Sequence, residues 1–240
     1  MSSTISAEQQ FHSDLSKNVR ALESARRQIN IKINDLLRNG KDEFSLKIQT
    51  KVYLLIYSAW TEACLVKLIH TPFGFSLEEK KYILKDKDIL NRWKKCVNTA
   101  FLKFSKSGSD LPNKKQKIHK LLDNYLKTQA NIRNKIAHGQ WEFPLYSHNL
   151  THDAEVLHYI QLVDTIQIDT WFEIFKEICG IVVGLIDARS KNNHRAHYDF
   201  YFEKLTKIQN IIDERKSFSL SDKKILLQQK PSRSPNIIVK

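Results

Sequence analysis

A chain of 240 residues with 41% hydrophobic side chains is long enough for one domain with a sizeable core. Thirty-nine Lys and Arg against 26 Asp and Glu give a formal charge of +13, which favours an anionic partner, although a basic surface also serves solubility alone. Cys64, Cys96 and Cys179 are scattered, odd in number and without CxxC spacing, which argues against a disulfide framework or a zinc site and for a reducing, cytoplasmic setting.

The polar opening Met1-Ser2-Ser3-Thr4 lacks the apolar core of a secretion signal. Residues 6–38 read as a long amphipathic helix stopped by Asn39-Gly40. Residues 45–70 form the most hydrophobic early helix and end before Pro72-Phe73-Gly74. Val52, Leu55, Ile56, Ala59, Ala63, Val66 and Ile69 mark its expected buried stripe. Ser76, with Glu79 at the capping-box position, opens a short helix. Another helix covers 86–105 and breaks at Ser107-Gly108-Ser109.

Pro112-Asn113 precedes an amphipathic helix from Lys114 to His138, with Ile118, Leu122, Tyr125, Ile132 and Ile136 on its buried stripe. Pro144 lies in a loop that leads to a helical region at 152–189, and a last helix covers 194–215. Ile178 to Ile186, the longest apolar stretch, is too short to span a bilayer. No alternating strand series, internal repeat or second-domain boundary is visible. The expectation is an all-α protein: one helical domain over 1–228 and a flexible tail over 229–240 containing Pro231 and Pro235.

The chemistry concentrates in Arg133-Asn134-Lys135-Ile136-Ala137-His138-Gly139. Arginine clamps phosphate, and histidine moves protons near neutral pH. The bare Arg-x4-His spacing is weak, since chance gives roughly one match in a chain this rich in Arg and His. A second match runs from Arg189 to His194. Geometry favours the first. At about 100° per residue, Asn134 and His138 lie roughly 160–200° from Ile136, so they point away from their helix's own core and share one face. Gly139 supplies a helix stop. Arg133 lies about 140° from His138, so the two converge only if the helix end distorts or a second chain completes the site. The bland alternative is a capping histidine at a helix C-terminus, where a cation is welcome.

The string Arg133 to Gly139, followed by Gln140-Trp141, resembles the signature of the HEPN superfamily (higher eukaryotes and prokaryotes nucleotide-binding). Tyr57-Ser58-Ala59-Trp60-Thr61-Glu62-Ala63 looks like that superfamily's early helix. Arg195-Ala196-His197-Tyr198-Asp199-Phe200-Tyr201 is similar to the tail of one bacterial subgroup. The resemblance covers roughly residues 10–215. It implies an all-α bundle that dimerises with two motifs in one interfacial cleft. It also implies metal-independent endoribonuclease activity of the kind found in toxin–antitoxin and antiviral systems. Arg133, Asn134 and His138 carry over as catalytic residues, with Glu62 as an acidic neighbour. The implied partners are RNA, a second copy of the chain and an antitoxin or defence-complex protein, with no membrane. The rival reading is a non-catalytic nucleotide- or protein-binding subunit on the same dimeric scaffold.

Further features have two readings each. Lys114, Lys115, Lys117 and Lys120 open the motif helix and Lys135 lies within the motif; together they suit RNA phosphates or a solvated helix face. Glu62 is offset from the expected stripe and suits either a partner for Arg133 or an ordinary surface carboxylate. Trp60 and Trp141 suit base stacking or the core. Asp187-Ala188-Arg189 and Arg195-Ala196-His197 read mainly as a structural, salt-bridged join. His148, His152 and His158 form no persuasive metal set, no glycine-rich phosphate loop is present, and no cofactor is expected.

Overall fold

The computed structural model of the chain describes residues 6–40, 42–102, 110–148, 150–191 and 194–229, with backbone alone for 188–191 and 194–201. Across those residues the architecture is helical, as the composition implied, with one isolated antiparallel bridge between Leu145 and His152. The Ser107-Gly108-Ser109 break, the Arg189 and His194 side chains, the Arg195–Tyr201 segment's side chains and residues 230–240 lie outside the described residues.

Helix α1 (Ala7–Asn39) starts at a capping box. Ser6 Oγ accepts from the Gln9 amide and Gln9 Oε1 accepts from the Ser6 amide. It stops at Gly40, whose φ of 64° needs no Cβ and whose amide donates to the Leu36 carbonyl at 2.9 Å. Helix α2 (Glu43–Ile69) then runs back along α1. Arg26 meets Tyr53 and Phe11 meets His70, the pairing of an antiparallel hairpin.

The core forms where α2 crosses α8 (Thr165–Lys191). Tyr53 stacks on Phe172 at 5.4 Å, and Tyr57 and Trp60 meet the same ring at 5.0 and 5.2 Å. Trp93 of α4 (Ile89–Leu102) meets Phe175 edge-on at 5.0 Å. Such ring pairs add about 0.5–1.5 kcal/mol each beyond the area they bury. Helix α3 (Leu77–Leu84) uses the foreseen Ser76–Glu79 capping box, and α9 (His194–Arg215) adds Phe202, Leu205 and Ile208 to the core.

Two expectations need correction. The buried face of α2 carries Tyr53, Leu54, Tyr57, Ser58, Trp60, Thr61, Cys64, Leu65 and Leu68; of the expected stripe only Ile69 is fully buried. Val52, Leu55, Ile56, Ala63 and Val66 are half-buried and Ala59 is exposed. The large rings reach further into the core than the aliphatic residues and so decide which face turns inward. By length and composition α2 would also pass for a membrane span, yet over half of its most apolar window is buried within the fold.

The helical region expected at 152–189 consists of two helices. Helix α7 (Ala154–Leu162) ends at Val163, and Asp164 restarts the chain as α8 by accepting from the Gln167 amide at 2.9 Å. After α9, Ser219 and Asp222 cap a further helix, α10 (Leu220–Gln229), which the sequence reading did not foresee.

The motif helix is continuous but not uniform. Helix α5 (Leu111–Leu122) passes through a π turn (Asp123–Lys127) into α6 (Thr128–Ala137). A π turn leaves carbonyls without their usual i+4 donors. Here side chains supply the donors: the Tyr57 hydroxyl donates to the Tyr125 carbonyl at 2.6 Å, and Gln129 Nε2 donates to the Asn124 carbonyl at 3.3 Å. Burial, then the neighbouring Cys179, Tyr125 and Cys64, holds the Tyr57 phenol protonated far above its ordinary range, so it remains a donor. The three cysteines are free thiols, and burial, then the neighbouring Cys64, pushes the Cys179 thiol well above its ordinary range.

Candidate functional site

The motif ends as a Schellman turn. The Gly139 amide donates to the Ile136 carbonyl at 3.1 Å and the Gln140 amide to the Lys135 carbonyl at 2.9 Å. Gly139 has φ 81°, and a Cβ there would meet nothing within 4 Å. The glycine is therefore needed for its backbone conformation and not for space. His138 is the C-cap residue, with its amide tied to the Asn134 and Lys135 carbonyls at 3.1 and 3.2 Å.

The side chains of the motif divide between two directions. Ile132 and Ile136 are buried, as their periodicity implied. Arg133 turns to α2: Nε donates to Ser58 Oγ at 3.2 Å and Nη2 to Glu62 Oε2 at 3.2 Å. Ser58 is buried, while Arg133 and Glu62 are 31% and 43% exposed. The contact joins two sequence strings 71 positions apart, and the guanidinium is oriented by an ion pair and a buried hydroxyl together. Asn134 and His138 point to solvent, and neither side chain has a hydrogen-bond or ionic partner among the described residues. Within one chain, Arg133 and His138 thus face different ways.

The proposed phosphate-contacting lysines separate as well. Lys117 and Lys120 are exposed and Lys115 is half-buried on α5. Lys114 pairs with Asp110 at 3.1 Å and lies 4.3 Å over the Phe202 ring, which gives it a packing role. Lys135 is turned away from solvent; it donates to the Leu145 carbonyl and lies 4.0 Å from Asp153. It anchors the loop after the motif, where Gln140 Oε1 also accepts from the Leu145 amide at 2.8 Å. The loop is held from α2 too, through the ion pair of buried Lys51 with Glu142. Beside the basic run, His119 contacts Asn98 Oδ1 at 3.1 Å, and burial, then Lys94 and Lys115, hold its pKa below the ordinary imidazole value.

Trp60 belongs to the core at 4% exposure and presents no free ring face for stacking, and Trp141 packs half-buried near Lys51. His148, His152 and His158 form no metal-binding group among the described residues. The Ser58 hydroxyl is the participant the sequence reading missed; its place one helical turn before Glu62 was the available signal. No family model, curated protein or solved structure matches the chain.

Proposed function

We propose that the protein is a metal-independent endoribonuclease that works as a homodimer, in the manner of the HEPN superfamily its motif resembles. The observation that carries the reading is the division of the motif: a guanidinium oriented by Ser58 and Glu62, beside an amide and an imidazole that share an outward face and have no partner among the described residues. Internal packing explains Arg133, Ile132, Lys135 and Ile136, and it does not explain Asn134 or His138.

The chemistry uses the RNA's own 2′-hydroxyl. His138 takes the hydroxyl proton as the oxygen attacks the adjacent phosphorus, or returns a proton to the leaving 5′-oxygen. Arg133 stabilises the charge that builds on the pentacoordinate phosphate. Asn134 donates to a phosphate oxygen or orients His138. Lys115, Lys117 and Lys120 hold the flanking backbone through salt-sensitive contacts.

Because Arg133 and His138 diverge within one chain, the complete site requires a second copy. The outer face of α2 suits that contact. Val52, Ile56, Ala59, Ala63 and Val66 alternate at spacings of four and three, and the two alanines permit close helix approach beside Glu62. Control by an antitoxin or a defence-complex protein is part of the same proposal.

The test incubates pure protein with total cellular RNA in excess EDTA, wild type beside His138→Ala. The expected products carry a 2′,3′-cyclic phosphate or 3′-phosphate and a 5′-hydroxyl, and a single 2′-deoxy sugar at the cut site blocks cleavage. Ends carrying a 5′-phosphate, or equal cutting by His138→Ala, would overturn the assignment. Binding that survives without turnover in the wild type would favour the non-catalytic subunit instead.

A further inference from the structure

The outer side of the motif helix carries more than the motif. Ile118, Leu122, Gln129, Ile132 and Ile136 are buried. The residue two places after each of them, Lys120, Asn124, Asn131, Asn134 and His138 in turn, is exposed. Two residues advance a helix by about 200°, so these positions lie opposite the core. Lys117 and Lys127, both exposed, complete the row at spacings of three and four. The row continues through the π turn, which contributes Asn124 and Lys127. At about 1.5 Å per residue, Lys117 to His138 measures about 30 Å.

The row carries charge of one sign. Lysines alternate with asparagines up to the motif histidine, and none of these side chains has a hydrogen-bond or ionic partner among the described residues. Asp123 is the one carboxylate in the sequence between Leu111 and His138, and Lys94 pairs with it at 2.6 Å. A face that serves solubility alone mixes both signs. The outer face of α1 does so, with Lys17, Arg20, Arg27 and Lys32 exposed beside Asp14 and Asp35.

We propose that this ridge is a track for a single strand of RNA that leads to His138. The proposal rests on the nuclease reading for where the track ends, and it adds the footprint. A phosphate chain matches lysines that no carboxylate neutralises. Asparagine both donates and accepts, so Asn124, Asn131 and Asn134 suit phosphate oxygens and 2′-hydroxyls alike. The row follows one helix, which suits one strand; a duplex presents two phosphate rows across a groove.

Fluorescence anisotropy tests the track, with a labelled RNA of about 12 nucleotides, within the usual range of single-strand site sizes. The full chain carries His138→Ala so that the RNA survives, and circular dichroism checks each variant's fold. Lys117→Ala, Lys120→Ala and Lys127→Ala are each expected to weaken binding several-fold. Each is also expected to lower the slope of log affinity against log salt by about 0.7. Asn131→Ala weakens binding several-fold with the slope unchanged, the loss of a neutral hydrogen bond. Arg20→Ala, which removes an exposed cation of α1, changes neither quantity, and a duplex of the same length binds less tightly. A slope indifferent to all three lysines would overturn the track and leave the ridge to an acidic protein partner. An Arg20→Ala effect as large as theirs, or tighter binding of the duplex, would overturn it too. The nuclease reading fails separately: lysine-dependent binding by a wild-type chain that does not cut loses the nuclease and keeps the ridge as a binding surface, whereas cutting and binding that both ignore Lys127→Ala and its two companions lose the track alone.

Discussion

The long helix from Leu111 to Ala137 departs from regular geometry twice, and the two departures treat polar groups in opposite ways. At the π turn, Tyr57 and Gln129 reach in to satisfy carbonyls that the altered hydrogen-bond pattern leaves over. At the C-terminal end, the backbone is satisfied by its own Schellman turn, while the side chains of Asn134 and His138 are exposed and have no partner among the described residues. A polar group with a buried partner explains itself through stability. An exposed polar group on a fixed backbone with no partner among the described residues is free to meet something outside the chain, and Arg133, docked on Ser58 and Glu62, stands between the two cases.

The largest effect expected from this contrast is on turnover. Arg133→Ala is expected to lower RNA cleavage by about 100-fold or more while circular dichroism stays unchanged. Arg189→Ala, in the second Arg-x4-His match, is expected to leave cleavage within a few fold; the reverse ranking would transfer the site to that match. The π turn gives the complementary case. Tyr57→Phe removes only the hydroxyl that serves the Tyr125 carbonyl, so urea denaturation is expected to show a loss of about 1–3 kcal/mol with cleavage by the folded protein intact. A neutral Tyr57→Phe would mean that the π turn does not need its donor.

Gly139→Ala separates backbone from side-chain effects at the motif. With open space around the Cβ position, its cost comes from φ alone and is expected to be about 1–2 kcal/mol, read as a lowered Tm. The smallest effect concerns pH. Burial, then Lys94 and Lys115, depress the His119 pKa in the folded state, with Asp123 opposing. Burial also leads the depression at His12 and His70. The unfolded chain therefore binds more protons below its ordinary imidazole pKa of about 6.5. Stability is full above that pH and falls as acid is added, until the folded-state values are passed. Thermal melts from pH 7.5 to pH 5 check the sign, and His119→Gln is expected to flatten part of the slope. A Tm that rises on acidification would contradict it.

Much of the helix layout was legible because stops and caps are local. Asn39-Gly40 and Ser76-x-x-Glu79 act through neighbours three or four residues away, and both appear where the sequence placed them. Asp164-x-x-Gln167 and Ser219-x-x-Asp222 were equally local signals that were passed over, which left the boundary between α7 and α8 unplaced and hid α10. The inward face of α2 was misjudged for a different reason. Hydrophobic periodicity weights aliphatic residues, whereas the packing partners Phe172 and Phe175 select the rings of Tyr53, Tyr57 and Trp60. The π turn was not visible in the local composition, and the hydroxyl that serves its Tyr125 carbonyl comes from Tyr57, 68 positions away. At the motif, the directions of Asn134 and His138 followed from helical geometry, and the suggested Glu62–Arg133 contact is present at 3.2 Å. The commitment of Lys135 to Leu145 and Asp153 was not legible, because it depends on how the following loop folds back.

Helix α10 is attached differently from every element around the core. None of its residues is fully buried; Leu220 and Leu227 rest half-buried against the core, Lys223 reaches Asp169 at 3.1 Å, and Arg38 Nε donates to the Leu227 carbonyl at 3.2 Å. If it detaches, Asp169 still has Arg26, Asn30 and Tyr53, so no buried charge is stranded. Its amides are therefore the ones to exchange with solvent by local opening while the rest of the fold stays protected. Opening of α10 alone is therefore expected to cost less than unfolding the bundle, and faster exchange of its amides than of those in α2 or α8 checks it.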